Sequence, residues 1–118
     1  MAIVVGLLST AEGQAALAAA KREARERSVP LTVVVTRDDD GVQTRAVEED
    51  LGASGLPFSV VGGTGDLAED LVRTAQEAGA ELIVVGLRRR SPVGKLILGS
   101  GAQRILLEAP CPVLAVKP

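Results

Sequence analysis

The chain has 118 residues, a formal net charge of −2, 47% hydrophobic residues and no histidine, tryptophan or tyrosine. Such a length suits a single domain, residues 1–118, that buries roughly two thirds of its unfolded surface, and the apolar content excludes intrinsic disorder. The weak negative charge gives no long-range attraction to nucleic acid or to an anionic membrane, and with Phe58 as the one aromatic residue no stacking platform or cation cage can be built.

Ile3, Val4 and Val5 form a short β-branched run, and Ser9-x-x-Glu12 after it is a capping-box signature, so a helix is predicted to start near Thr10. It continues through Ala15 to Ala20 into the mixed charges of Lys21 to Arg27 and stops before Pro30. Leu31 to Val35 reads as a second strand, uninterrupted and apolar in the manner of a parallel strand buried on both faces. Asp38-Asp39-Asp40-Gly41 is a turn, and Val42 to Leu51 a short polar helix closed by Gly52. Phe58, Val60 and Val61 make a third strand, and Gly62 to Gly65 a turn. Leu67, Ala68, Leu71, Val72, Ala75 and Ala78 then recur at helical spacing up to Gly79. Glu81 to Val85 is the fourth strand, Ala102 to Glu108 a helix and Val113 to Val116 the fifth strand. Strands that alternate with single helices predict a doubly wound, five-stranded parallel sheet covered by helices on both faces.

Ligands of such sheets sit beyond the carboxyl ends of the strands, where the strand order reverses. The loop after the fourth strand has the features of an anion site: Gly86 at the strand end, Arg88, Arg89, Arg90 and Lys95 with no acid among them, and Gly99-Ser100 leading into a helix N-terminus. The Ser100 hydroxyl and the N–H groups of Gly99, Ser100 and Gly101 would hold a phosphate there. Ser100-x-x-Gln103 is also a capping box, so ligand contact and capping compete for the same groups. No catalytic constellation is present, because the usual bases and nucleophiles are missing and Cys111, between two prolines, reads as a small buried hydrophobe. The protein is therefore read as a binding protein and not an enzyme.

The run from Gly86 to Ser100, followed by Ala109-Pro110-Cys111-Pro112-Val113-Leu114, resembles the universal stress protein family, and the resemblance extends along the whole chain. It implies a doubly wound Rossmann-like domain with strand order 3-2-1-4-5, commonly a homodimer, some members of which bind ATP through Gly-x2-Gly-x9-Gly-Ser/Thr. By that implication an ATP or AMP site is lined by Gly6, Leu8, Thr36, Val85, Gly86, Arg88, Arg89, Gly99, Ser100 and Gly101. Two positions depart from the family pattern. Arg89 stands at the second glycine, where a guanidinium could pair with phosphate oxygens instead, and Leu8 stands where nucleotide-binding members carry an acid for the base and sugar. Thr36 falls where the family sets a small apolar residue against adenine.

Two function classes stay open: a small regulatory domain that binds ATP, AMP or another anionic molecule, and a dimeric scaffold of the same fold that no longer binds nucleotide. Slow ATP hydrolysis would need an activated water that no residue here can be assigned to hold. Gly63-x-Gly65-x-x-Ala68 imitates a dinucleotide fingerprint, but Val85-Gly86 stands where its acid is required. Gly94-Lys95-Leu96 lacks the hydroxyl of a P-loop, and the consecutive acids Asp38 to Asp40 diverge as a solvated turn. No metal site is expected. A lone cysteine and an N-terminal apolar run too short for a leader or a membrane span point to the cytoplasm. By the resemblance the last strand, Val113 to Val116, lies at the sheet edge and pairs with its copy, and Leu114→Lys is the substitution expected to split that dimer.

Overall fold

The computed structural model describes residues 1–7, 11–36, 41–87 and 100–117. Among them the strands β1 (Ile3–Leu7), β2 (Leu31–Val35), β3 (Phe58–Gly62), β4 (Leu82–Gly86) and β5 (Val113–Val116) alternate with the helices α1 (Ala11–Arg27), α2 (Val42–Ser54), α3 (Leu67–Ala78) and α4 (Ser100–Glu108). The strands form one parallel sheet in the order β3-β2-β1-β4-β5, as the family resemblance implied.

The apolar runs become strands because both faces of the sheet are covered. Ile3, Val4, Val5, Leu31, Val33, Val34, Ile83 and Val84 are wholly buried, each side chain contributing roughly 1.5–3 kcal/mol relative to an exposed position. Successive side chains point to opposite faces. Ile3, Val5, Leu31, Val33, Leu82 and Val84 pack with α1 and α2, whereas Val4, Val34 and Ile83 pack with α3 and α4. The face that α1 buries is made of Ala16, Leu17, Ala19, Ala20 and Ala24, so mostly methyl groups lie between its backbone and the sheet. Val47 and Leu51 dock α2 on the same face, and Lys21 Nζ joins the two helices through Asp50 at 2.9 Å. No described helix is long and apolar enough to cross a membrane.

The second helix runs further than its sequence suggests. It continues through Gly52 to Ser54 and ends at Gly55, which takes the left-handed conformation at φ 77°. Ser54 Oγ donates to the Leu51 carbonyl at 2.7 Å, which satisfies an end-of-helix acceptor and lets the turn close three residues after Gly52. At the other boundaries β4 includes Gly86, opposite Val116, and the Leu87 N–H extends the ladder to the Val116 carbonyl at 2.8 Å. Gly86 is thus strand backbone and not a turn residue. Helix α4 opens at Ser100, two residues before the predicted Ala102. Its Gly101 faces α3, where a methyl group would stand in ordinary contact, 4.0 Å from the Ala68 methyl. Leu114 is half-buried against the α1 side of the core, while Ala115 is exposed. Leu114→Lys, the substitution expected from the sequence to split a dimer, would therefore disturb the monomer's own packing as well, so it does not report on an interface alone.

The two glycines of α2 give opposite expectations. A methyl group on Gly52 meets nothing within 4 Å, so Gly52→Ala should stabilise the protein by about 0.5–1 kcal/mol. Gly55→Ala should destabilise it by about 1 kcal/mol through left-handed strain. Urea unfolding midpoints for the two variants check both signs.

Candidate functional site

The ladder between β1 and β4 consists of Ile3 with Leu82, Val4 with Ile83 and Val5 with Val84. Beyond it β1 continues beside β2, with Gly6 opposite Val34 and Leu7 opposite Val35. Strand β4 continues beside β5, with Val85 opposite Ala115 and Gly86 opposite Val116. The two central strands therefore separate at their carboxyl ends, at the point where the strand order reverses and ligands of this architecture bind.

Several predicted residues gather at that end. Gly6 closes the α3 face of β1, and the space of its absent side chain is taken by Leu67, whose Cδ1 would stand 2.8 Å from a Cβ there. Val85 is half-buried against the α3 and α4 cluster, and Gly86 is the half-buried last residue of β4. Ser100 and Gly101 form the first turn of α4, where helix N–H groups lack intrahelical acceptors. Ile105 docks α4 in the core on the α3 side, and at the exposed surface Arg104 reaches Asp66 Oδ2 at 3.0 Å and Glu108 Oε2 of its own helix at 3.2 Å. Asp66 is itself the N-cap of α3. Its carboxyl is held below the usual range by the Glu69 N–H first and by Arg104 after it, against the effect of burial. Leu8, Arg88, Arg89 and Gly99 lie outside the described residues, as do Asp38 to Asp40.

Thr36, just past the end of β2, belongs to an arrangement that sequence reasoning missed. Its Oγ1 donates to Asp70 Oδ2 at 3.0 Å. The same oxygen accepts from the Thr64 N–H at 2.8 Å, and Oδ1 accepts from Thr64 Oγ1 and Arg73 Nη2, both at 2.9 Å. Asp70 is completely buried. Burial by itself pushes its carboxyl up, but the bonds from the Thr64 N–H and hydroxyl, from Thr36 and from Arg73 together outweigh it, so the group is held below the ordinary range. Gly63 makes the space: a Cβ there would collide with the Asp70 carboxylate and stand 3.0 Å from the Thr36 Cα. The ends of β2 and β3 are thereby tied to the first turn of α3. Asp70 and Thr74 are buried within α3 together with Leu71 and Ala75, and an acid inside an apolar helix face was the signal available in the sequence.

Comparison with known proteins gives a consistent outcome. The universal stress protein family profile matches residues 35–117. A universal stress protein of Mycolicibacterium smegmatis is 44% identical over 126 aligned residues, covering 98% of this chain and 97% of its own. This chain belongs to the universal stress protein family. Among solved structures, a universal stress protein from Archaeoglobus fulgidus superposes with a TM-score of 0.79 at 32% identity, covering 99% of this chain and 98% of the other. The A. fulgidus universal stress protein in complex with dAMP superposes with a TM-score of 0.75 at 27% identity, again over 99% and 98%. The universal stress protein fold thus accounts for the strand order, in which the β1–β4 ladder ends at Val5 and Val84.

The Asp70 carboxylate makes an acid-dependent contribution to stability. A depressed pKa in the folded state stabilises above the unfolded carboxylate pKa of about 3.9, and this is lost as pH falls through the folded value. Asp70→Asn should be less stable than wild type by about 2 kcal/mol at neutral pH. It should also lose less stability than wild type between about pH 5 and pH 3. Urea denaturation across that range checks both the deficit and its convergence.

Proposed function

We propose that this universal stress protein domain is a small regulatory module that binds ATP or AMP between β1 and β4, with the loop from Gly86 to Gly101 around the phosphates. The separation of β1 and β4 beyond Val5 and Val84 carries the proposal, because it opens two central strand ends beside the first turn of α4. A helix start favours an anion through its N–H groups and its dipole. Arg88 and Arg89 put two cationic residues in the same stretch of sequence, a chemistry suited to a phosphate ligand. The dAMP complex of the A. fulgidus relative supports an adenine nucleotide as the ligand class.

Binding without catalysis follows from the residue inventory. The chain has no histidine or tyrosine, and Cys111 is half-buried among the α3 and α4 cluster with its thiol pushed up by burial, which suits packing better than nucleophilic attack. A lone free thiol is in keeping with the reducing cytoplasm. The second reading, a scaffold without nucleotide, is favoured by Leu8 at the position of the family's acid. Calorimetric titration with ATP and AMP, with and without Mg²⁺, decides between them. Micromolar binding that is lost in Ser100→Ala supports the nucleotide site. Absence of binding by wild type, with binding gained in an Arg89→Gly, Leu8→Asp double variant, supports the scaffold.

The module works as a homodimer through β5. This strand pairs with β4 alone in the sheet, and an unpaired apolar edge is resolved by pairing with a second copy. Leu106 and Leu107 lie exposed on α4, the helix that leads into it. Ala115 is exposed on β5, so Ala115→Lys should shift sedimentation from dimer to monomer with the melting profile retained. A wild type that sediments as a monomer would remove the dimer.

A further inference from the structure

We propose that α2 is a detachable flap, which opens as a unit from the folded protein and uncovers Phe58 and Val60 on the edge strand β3 while the rest of the sheet stays intact. The inference is independent of what the crevice binds. Of the thirteen residues of α2 only Val47 and Leu51 are buried. Helix α1 buries Ala16, Leu17, Ala19, Ala20 and Ala24, and α3 buries Ala68, Asp70, Leu71, Thr74 and Ala75. The outer face of α2 carries the exposed acids Glu48, Glu49 and Asp50, which are solvated whether or not the helix is docked. Its tie to α1 is the pair of Lys21 with Asp50, whose side chain is 49% exposed, and an ion pair so open to water contributes little. Two apolar anchors, together with Gly52 inside the helix, which weakens it relative to alanine, make α2 an element of low local stability.

The chain on either side of the flap is fixed by contacts that do not involve α2. Before it, Thr36 Oγ1 is bonded to the Asp70 carboxylate at 3.0 Å. After it, the Pro57 carbonyl accepts from the Leu31 N–H at 3.0 Å, and the ladder of β2 with β3 runs on from Leu31 and Phe58 to Val35 and Gly62. Thr64 then fastens the far end of β3 to the same carboxylate. The helix can therefore leave without parting β3 from β2. Both of its caps are left-handed glycines, Gly41 at φ 74° and Gly55 at φ 77°, and glycine has the backbone freedom that a hinge uses. Opening bares the α2 side of β3, where Phe58 and Val60, with Leu56 before them, are only partly buried even when the helix is docked. Phe58 is the one aromatic residue of the chain, so the open form shows a partner an apolar surface that the closed form covers.

Native-state hydrogen exchange of the whole protein, read by NMR at low urea concentrations, tests the flap. The interior amides of α2, from Ala46 to Leu51, should share one protection factor, on the order of a hundredfold below that of Val4 and Val34 in the central strands. Their exchange should also depend less on urea, because a local opening exposes less surface than global unfolding. Ile83→Val, a conservative change in the core on the α3 and α4 side of the sheet, should speed exchange of Val4 and Val34 about fivefold and leave the α2 amides unchanged. Three results would each overturn the flap: protection in α2 equal to that of the central strands, α2 amides that exchange with separate urea slopes, or an Ile83→Val variant that speeds both sets alike.

Discussion

Right-handed crossovers in a parallel sheet put the connecting helix on one face when the chain moves one way along the sheet and on the other face when it moves back. Here the chain goes from β1 outward to β2 and β3, with α1 and α2 on one face, and then returns past β1 to β4 and β5, with α3 and α4 on the other. That reversal leaves β1 and β4 as neighbours whose onward connections lead to opposite faces. Their ladder stops at Val5 and Val84, and the crevice, the position of α4 and the burial of both sheet faces all follow from this single topological constraint.

The sheet can stay rigid around that opening because its packing is almost wholly aliphatic. Valine and isoleucine are stiff at χ1 and fit the pleated surface, and the alanines of α1 give the helix a flat face toward it. Polar side chains are admitted to the described interior sparingly: Thr32, Asp70 and Thr74 are buried, and no described buried side-chain nitrogen or oxygen lacks a partner. Thr32 meets Ser59 across β2 and β3 at 3.3 Å. Asp70 is the demanding case, since a buried charge is tolerable only with its hydrogen bonds complete. The same completeness ties the ends of β2 and β3 to α3 through Thr36 and Thr64.

Much of this fold is legible in the residues. The periodicity of α3 and its glycine stop read correctly because the helix has one apolar face and Gly79 takes φ 60° at its end. The β2 run read correctly because its five residues are all buried, which requires an unbroken apolar string. The end of α2 was misplaced because both Gly52 and Gly55 offer a stop, and the choice depends on the Ser54 contact and on how Leu56 meets the core. Of the site residues read from the sequence, Gly6, Val85 and Gly86 lie at the carboxyl ends of β1 and β4 and Ser100 and Gly101 at the start of α4, while Leu8, Arg88, Arg89 and Gly99 lie outside the described residues. The bond between Thr36 and the Asp70 carboxylate was not legible: an acid on the apolar face of α3 could be seen in the sequence, but its partner lies far away along the chain and meets it only in the folded structure.

The sequence by itself determined the alternation of strands and helices, the aliphatic character of the core and, through the Gly86 to Ser100 run, the family. These follow from local chemistry: periodicity, φ preferences and residue inventory are properties of neighbouring residues. Only the tertiary structure decided where the β1 and β4 ladder stops, that Leu114 turns inward while Ala115 faces out, that Gly63 leaves the space the Asp70 carboxylate fills, and that Thr36 bonds to that carboxylate. Those are relations between segments brought together by folding, and they depend on distances of a few ångströms that sequence spacing does not encode.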